Sequence, residues 1–199
     1  MIILTNPKSI DRSEAYLRYI EEELLIKGGR WIATFDHAIR SFNINLTSNE
    51  KNLKQDKDFD LVVYGGVRAK GFVLSRAFSF IASPTYKVAC VVVNLDRASQ
   101  VKWSLLVKWL REAQTLKEAM EFEWLWVLFF GEEELKDSII RKIKRHTQRD
   151  LAILYADIRN NTLINSDSFI ARRGERLFHP SNLDKQGGRL KFLRRSKGD

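Results

Sequence analysis

The sequence predicts an α/β protein with a mixed central β-sheet flanked by helices. Three observations carry this expectation. Lys87 to Leu95 is an unbroken Val-rich run, suited to a strand covered on both faces. From that run onward strand-like and helix-like segments alternate, which favours parallel pairing through right-handed crossovers. The residues before it read as a helix feeding an antiparallel hairpin. A chain of 199 residues with 44% hydrophobic content can bury one ordinary core.

The elements follow in order. Asp11 to Lys27 is predicted to be a helix closed by Gly28-Gly29, with Leu17, Ile20, Leu24 and Leu25 on one face. Glu14 and Glu21 fall within that same arc, so two carboxylates point partly inward. Residues 30–39 and 41–46 have β-like character, and 47–57 reads as a surface loop. Asp58 to Tyr64 is a strand ended by Gly65-Gly66, and 67–83 fits either a hairpin or a short helix. Ser99 is placed to cap a helix running to about Met120, with Trp103, Leu106, Val107, Leu110 and Ala113 on its apolar face. A strand over 121–130, a helix over 132–147 with acidic start and basic end, and a strand over 151–158 complete the alternation. Asn160-Asn161 then turns into a last short strand within 162–170.

Composition excludes several function classes. Cys90 lies inside an apolar run, so no intramolecular disulfide is available. His37, His146 and His179 are too scattered for a zinc-ligand spacing, which leaves carboxylates and backbone oxygens for any metal, as magnesium-like ions prefer. The start carries no basic leader, and the most apolar segment, Phe122 to Phe130, is far short of the roughly 20 residues a spanning helix needs. An intracellular protein with no membrane partner is the expectation. The formal charge of +9 is concentrated late: Arg172 to Asp199 holds nine Lys/Arg against three Asp/Glu. Such clusters attract polyanions by counterion release, and they also serve as solubilising segments. On this basis 1–171 is read as the α/β domain and 172–199 as a basic C-terminal segment. Arg172, Arg173, Arg176, Arg194 and Arg195 are then candidate phosphate contacts. No Gly-rich phosphate loop and no Gly-x-Ser-x-Gly turn is present.

Two short segments carry the remaining chemistry. Lys57-Asp-Phe-Asp-Leu-Val-Val-Tyr64 puts Asp60 on a strand, with Asp58 a neighbour of the same parity, and Val91-Val-Val-Asn-Leu-Asp-Arg97 ends the next strand in Asn94 and Asp96. With the order helix, hairpin strands, Val-rich strand, helix, strand, residues 11 to 158 resemble the PD-(D/E)xK nuclease superfamily, which includes restriction-type endonucleases and archaeal Holliday-junction resolvases. The resemblance implies a restriction-endonuclease-like core with a Glu on the first helix, an Asp on the second strand and an acidic-x-Lys pair on the third. It also implies Mg²⁺ held by the carboxylates, with the lysine positioning or activating water. Carried over, the catalytic candidates are Glu14, Asp60, Asp96 and Lys102, and the metal candidates Asp60 and Asp96. The third strand departs from the pattern, because Asn94 and Asp96 stand where an acid and a lysine are expected. Lys102 enters because some members of the superfamily carry the lysine on the following helix.

Each residue also has a plainer role open to it. Asp60 can terminate a strand, Asp96 can start a helix, and Lys102 can lay its stem over apolar neighbours. Three readings follow. The first is a nucleic-acid-binding protein with a nuclease-like fold, DNA expected over RNA, that cuts with magnesium. The second is a non-catalytic DNA- or RNA-binding module on the same fold. The third is a Rossmann-like domain for a small ligand or protein partner, which the absent phosphate loop disfavours. Pairing with a second copy as a homodimer is left open.

Overall fold

The computed structural model describes residues 11–27, 34–43, 58–68, 85–96, 98 and 100–183. Outside these lie the expected loop over 47–57, most of the 67–83 segment, and Arg194 and Arg195. In chain order the elements are α1 (Arg12–Lys27), β1 (Thr34–Asn43), β2 (Asp58–Arg68), β3 (Thr85–Asn94), α2 (Trp103–Ala119), β4 (Trp124–Gly131), α3 (Asp137–Lys144), β5 (Leu151–Asp157), β6 (Thr162–Asn165) and α4 (Phe169–Phe178).

The strands form one six-stranded mixed sheet in sequential order. β1 pairs with β2 and β2 with β3 antiparallel, β3–β4 and β4–β5 are parallel, and β6 returns antiparallel to β5. The mixed α/β architecture expected from the sequence is the one present. Helices cover both faces, and the period-2 alternation of strand side chains sorts the core into two layers. Val88, Cys90 and Val92, Trp126, Leu128 and Phe130, and Ala152, Leu154 and Ala156 meet α1 and α4 on one face. Ala89, Val91 and Val93, Leu125, Val127 and Phe129, and Leu151, Ile153 and Tyr155 meet α2 and α3 on the other.

Several boundaries differ from the sequence reading for identifiable reasons. β2 does not stop at Gly65-Gly66, because both glycines are paired on either side, with Phe35 and Thr34 of β1 and with Val88 and Lys87 of β3. Helix α2 begins at Trp103, with Lys102 at its N-cap position and Leu95 to Val101 forming a connection. It ends where Glu121 takes a positive φ of 56° and its N–H bonds the Glu118 carbonyl. α3 is shorter than expected, because 132–136 is held as a loop at the end of β4.

The largest difference is at the C-terminal end. Residues 169–178 are a helix capped by Ser168, whose hydroxyl accepts the Ala171 N–H at 3.3 Å. Leu177 and Phe178 are buried. The Tyr16 and Tyr19 hydroxyls of α1 donate to the carbonyls of Phe178 and Leu177. Arg172, Arg173 and Arg176 therefore lie on a packed helix, and a boundary at 171 falls inside it.

Gly174 lets α4 approach β4. A Cβ there would lie 2.7 Å from the Phe178 ring and 3.2 Å from Trp126 Nε1, which donates to the Ile170 carbonyl at 2.8 Å. Alanine gains about 1 kcal/mol of helix propensity, but overpacking costs about 1–3 kcal/mol and a strained indole hydrogen bond about 1 kcal/mol. Gly174→Ala is expected to destabilise the protein by about 1–2 kcal/mol, read from urea denaturation. An unchanged or higher midpoint would show that Phe178 moves aside freely.

Candidate functional site

The C-terminal ends of β3 and β4 meet the N-terminal turn of α1 around an open cavity of about 650 Å³. Both faces of the central strands are covered, so the strand ends are where polar groups gather. Its walls carry Asp11, Glu14, Asp60, Asp96, Glu132 and Glu133, with Ser13, Asn94, Tyr155 and Arg159 between them. Glu14, Asp60 and Asp96, three residues singled out by sequence, thus line one cavity.

Their surroundings differ. Asp60 Oδ2 accepts the backbone N–H of Asn94 at 2.6 Å, and the Asn94 side-chain oxygen accepts the Asp96 N–H at 2.9 Å. Asn94 therefore links the two carboxylates through its two ends. Asp96 is itself a cross-link: Oδ2 accepts the Ser13 hydroxyl at 2.6 Å and Oδ1 accepts the Glu132 N–H at 2.7 Å. The Leu95 N–H adds a bond to the Phe130 carbonyl at 2.8 Å. Gly131 is required by this arrangement, since a Cβ on it would lie 2.8 Å from Asp96 Oδ1.

Glu14 is half-buried and held by cations. It accepts from Arg18 Nε at 2.8 Å and from Arg40 Nη1 at 3.0 Å. The hydrogen bonds to Arg18 and then Arg40 hold its carboxyl below the ordinary range. Arg40 also bonds Glu21, so both α1 carboxylates expected to point inward are tied to β1. Tyr155 donates its hydroxyl to the Glu133 carbonyl. Burial, with the carboxylates of Asp157, Asp96 and Glu133 nearby, raises its pKa far above neutrality, so it remains a donor.

Lys102 is exposed at the N-cap of α2 and is not among the residues lining the cavity. It sits before the first helical turn, not one turn into the helix, because α2 starts later than Ser99 predicts. The cation at the cavity is Arg159, whose Nη2 lies 3.3 Å from Glu132 Oε2. Sequence reasoning missed it. The only available signal was its position just after a buried strand and before the Asn160-Asn161 turn, where Asp157 accepts the N–H groups of Arg159 and Asn160 at 3.0 and 2.8 Å. Arg172 and Arg173 are elsewhere, on α4.

Among the described residues no group of three or more His, Cys, Asp or Glu side chains is close enough to hold a metal ion. Mg²⁺ makes smaller demands. It takes oxygen ligands, keeps several waters and is commonly held by one or two carboxylates plus a phosphate. Asp60 and Asp96, with the Asn94 side-chain oxygen between them, are a donor set of that kind. Comparison with protein-family models, curated proteins and solved structures yields no match.

Two outcomes are expected from this geometry. Asp96→Ala leaves the Ser13 hydroxyl and the Glu132 N–H without their acceptor and should lower stability by about 1–3 kcal/mol. Ser13→Ala should cost less, and the double variant less than the sum, because the two share one bond. Additive effects in urea denaturation would deny the cross-link. For Glu14 the lowered pKa means stability that is present above its ordinary value of 4.5 and lost as pH falls through the folded-state value. Glu14→Gln should flatten the acid limb of a stability–pH curve below 4.5, leaving the curve above pH 6 unchanged in slope. An acid limb identical to that of the unaltered protein would remove the ion pairs from the account.

Proposed function

We propose that this chain is a nucleic-acid-binding protein on a nuclease-like core, whose carboxylate cavity takes Mg²⁺ and through it a phosphate. The observation that carries this is the meeting of Glu14, Asp60, Asn94 and Asp96 at one cavity beside the third and fourth strands. The order of strands and helices supports the same reading, with an antiparallel hairpin leading into parallel strands joined by a helix. Six carboxylates against Arg159 repel a phosphodiester, so a bound cation is what would let one approach. Asp60 and Asp96 would hold it, and when bound it supplies charge neutralisation and a polarised phosphate oxygen.

The arrangement favours binding over cleavage. Glu14 is neutralised by two arginines, Asp96 has both oxygens committed to Ser13 and Glu132, and Lys102 is not at the cavity. Arg159 can attract a phosphate but cannot act as a base, since its guanidinium stays protonated. The residues left to orient a phosphate are Arg159 and the Tyr155 hydroxyl at the cavity wall. Cleavage is the second reading, favoured by the presence of both Asp60 and Asp96 at the same cavity.

The test combines binding and single-turnover assays on linear, single-stranded and four-way DNA, with Mg²⁺ or Mn²⁺ and with EDTA. Expected are metal-strengthened binding, weakened at least fivefold by Asp60→Asn, and no strand scission. Metal-dependent scission abolished in Asp60→Asn would establish the enzyme instead. Binding equal with and without metal, and unaffected by Asp60→Asn, would remove the cavity from the interface.

A further inference from the structure

A second hollow lies at the opposite end of the sheet, where β4 and β5 begin and α4 starts. It has a volume of about 460 Å³ and is lined by Trp124, Thr147, Arg149, Asp167, Phe169 and Arg172, with Ser168 and Ile170 behind them. Two features set it apart from ordinary surface. Phe169 is 55% exposed, the most exposed large hydrophobic side chain among the described residues. The Arg173 guanidinium lies over its ring, 5.0 Å from the centroid.

An exposed phenyl ring flanked by arginines has a specific chemistry. Unpaired bases stack on aromatic rings and on guanidinium planes, while neighbouring arginines meet the backbone phosphates. Duplex bases are already stacked and present no free face to such a ring. Of the charges lining the hollow, Arg149 and Arg172 are positive and Asp167 negative. The Arg172–Asp167 contact is long, 3.5 Å, with both side chains more than two-thirds exposed, so it is screened and readily exchanged for a phosphate. Arg173 adds a third cation beside the ring.

We infer that this hollow binds single-stranded nucleic acid, with a base stacked on Phe169 and Arg173 and phosphates against Arg149 and Arg172. The inference rests on nucleic acid as the partner but not on the carboxylate cavity, and it requires no metal. Phe169 is well placed for a clean test. Its side chain points largely to solvent, whereas the next residues, Ile170 and Ala171, carry the packing of α4.

The experiment is fluorescence anisotropy of the full chain with labelled oligo(dT) in EDTA, alongside an abasic deoxyribose-phosphate chain of equal length. Oligo(dT) is expected to bind at least fivefold more tightly than the abasic chain. Phe169→Ala should remove most of that preference, Phe169→Tyr should keep it, and Phe169→Leu should not. Arg149→Ala with Arg172→Ala should weaken both ligands and shallow the dependence on salt. Thermal melting of each variant verifies that α4 remains docked. Oligo(dT) binding in which Phe169→Ala changes nothing overturns this surface while leaving nucleic acid as the partner. Absence of binding to any single or double strand, with or without metal, overturns both.

Discussion

Both faces of β3, β4 and β5 are buried, and that constraint decides where chemistry can happen. Every side chain of β5 from Leu151 to Asp157 is shielded, and β4 is shielded from Leu125 to Gly131. A polar group in the middle of either strand would lose water without gaining a partner. Polar side chains are therefore displaced to the strand ends, where loops and helix termini supply donors. Asp96 illustrates the result. It lies just past β3, on the way to α2, and binds the first turn of α1 and the start of the loop after β4 in one carboxylate. The cavity exists because this cross-link holds three chain segments apart at a fixed spacing, and Gly131 is the residue small enough to allow it.

The fold was legible where burial writes itself into composition. A strand covered on both faces must be apolar at consecutive positions, so 87–95, 121–130 and 151–158 stood out, and alternation with helices supplied the parallel pairing. What the sequence hid was local. Gly65-Gly66 looks like a stop, yet both positions are paired on two sides. The stretch from Phe169 looked like basic tail because Arg172, Arg173 and Arg176 dominate it. Its helical signal was present nonetheless: Ser168 as cap, then Ile170, Ala171, Gly174, Leu177 and Phe178 on one face, which are the residues that become buried. Gly174 weakened that signal, since its value lies in contact with Phe178 and Trp126, which no local pattern reveals.

The cavity was legible in part. Glu14, Asp60 and Asp96 could be named from motif order alone, because the order of elements fixes which strand ends are neighbours. Their hydrogen bonds could not be named. That Arg40, from a different strand, would bind both Glu14 and Glu21 depends on the register of β1 against α1. Lys102 was misplaced by the start of α2, which the connection through Val101 delays. Arg159 escaped notice because its role arises from the Asp157 turn, which aims it back across the end of β4 toward Glu132.

The two ends of the sheet carry opposite characters, and the spacing between them matters. β5 has seven residues and connects the two ends; at about 3.3 Å per residue it separates them by about 23 Å. The Debye length in physiological salt is about 8 Å, so charges on exposed surface at one end are largely screened at the other. The carboxylates around Asp96 therefore do not oppose an anionic ligand near Phe169, and the arginines near Phe169 do not by themselves draw a phosphate into the carboxylate cavity. Each end must meet its ligand with its own groups. At the carboxylate end that requires a cation from solution, whereas the aromatic end already carries Arg149, Arg172 and Arg173. The two proposed surfaces should accordingly respond in opposite ways to added divalent metal, which strengthens binding at the first and, by competing for phosphate, weakens it at the second.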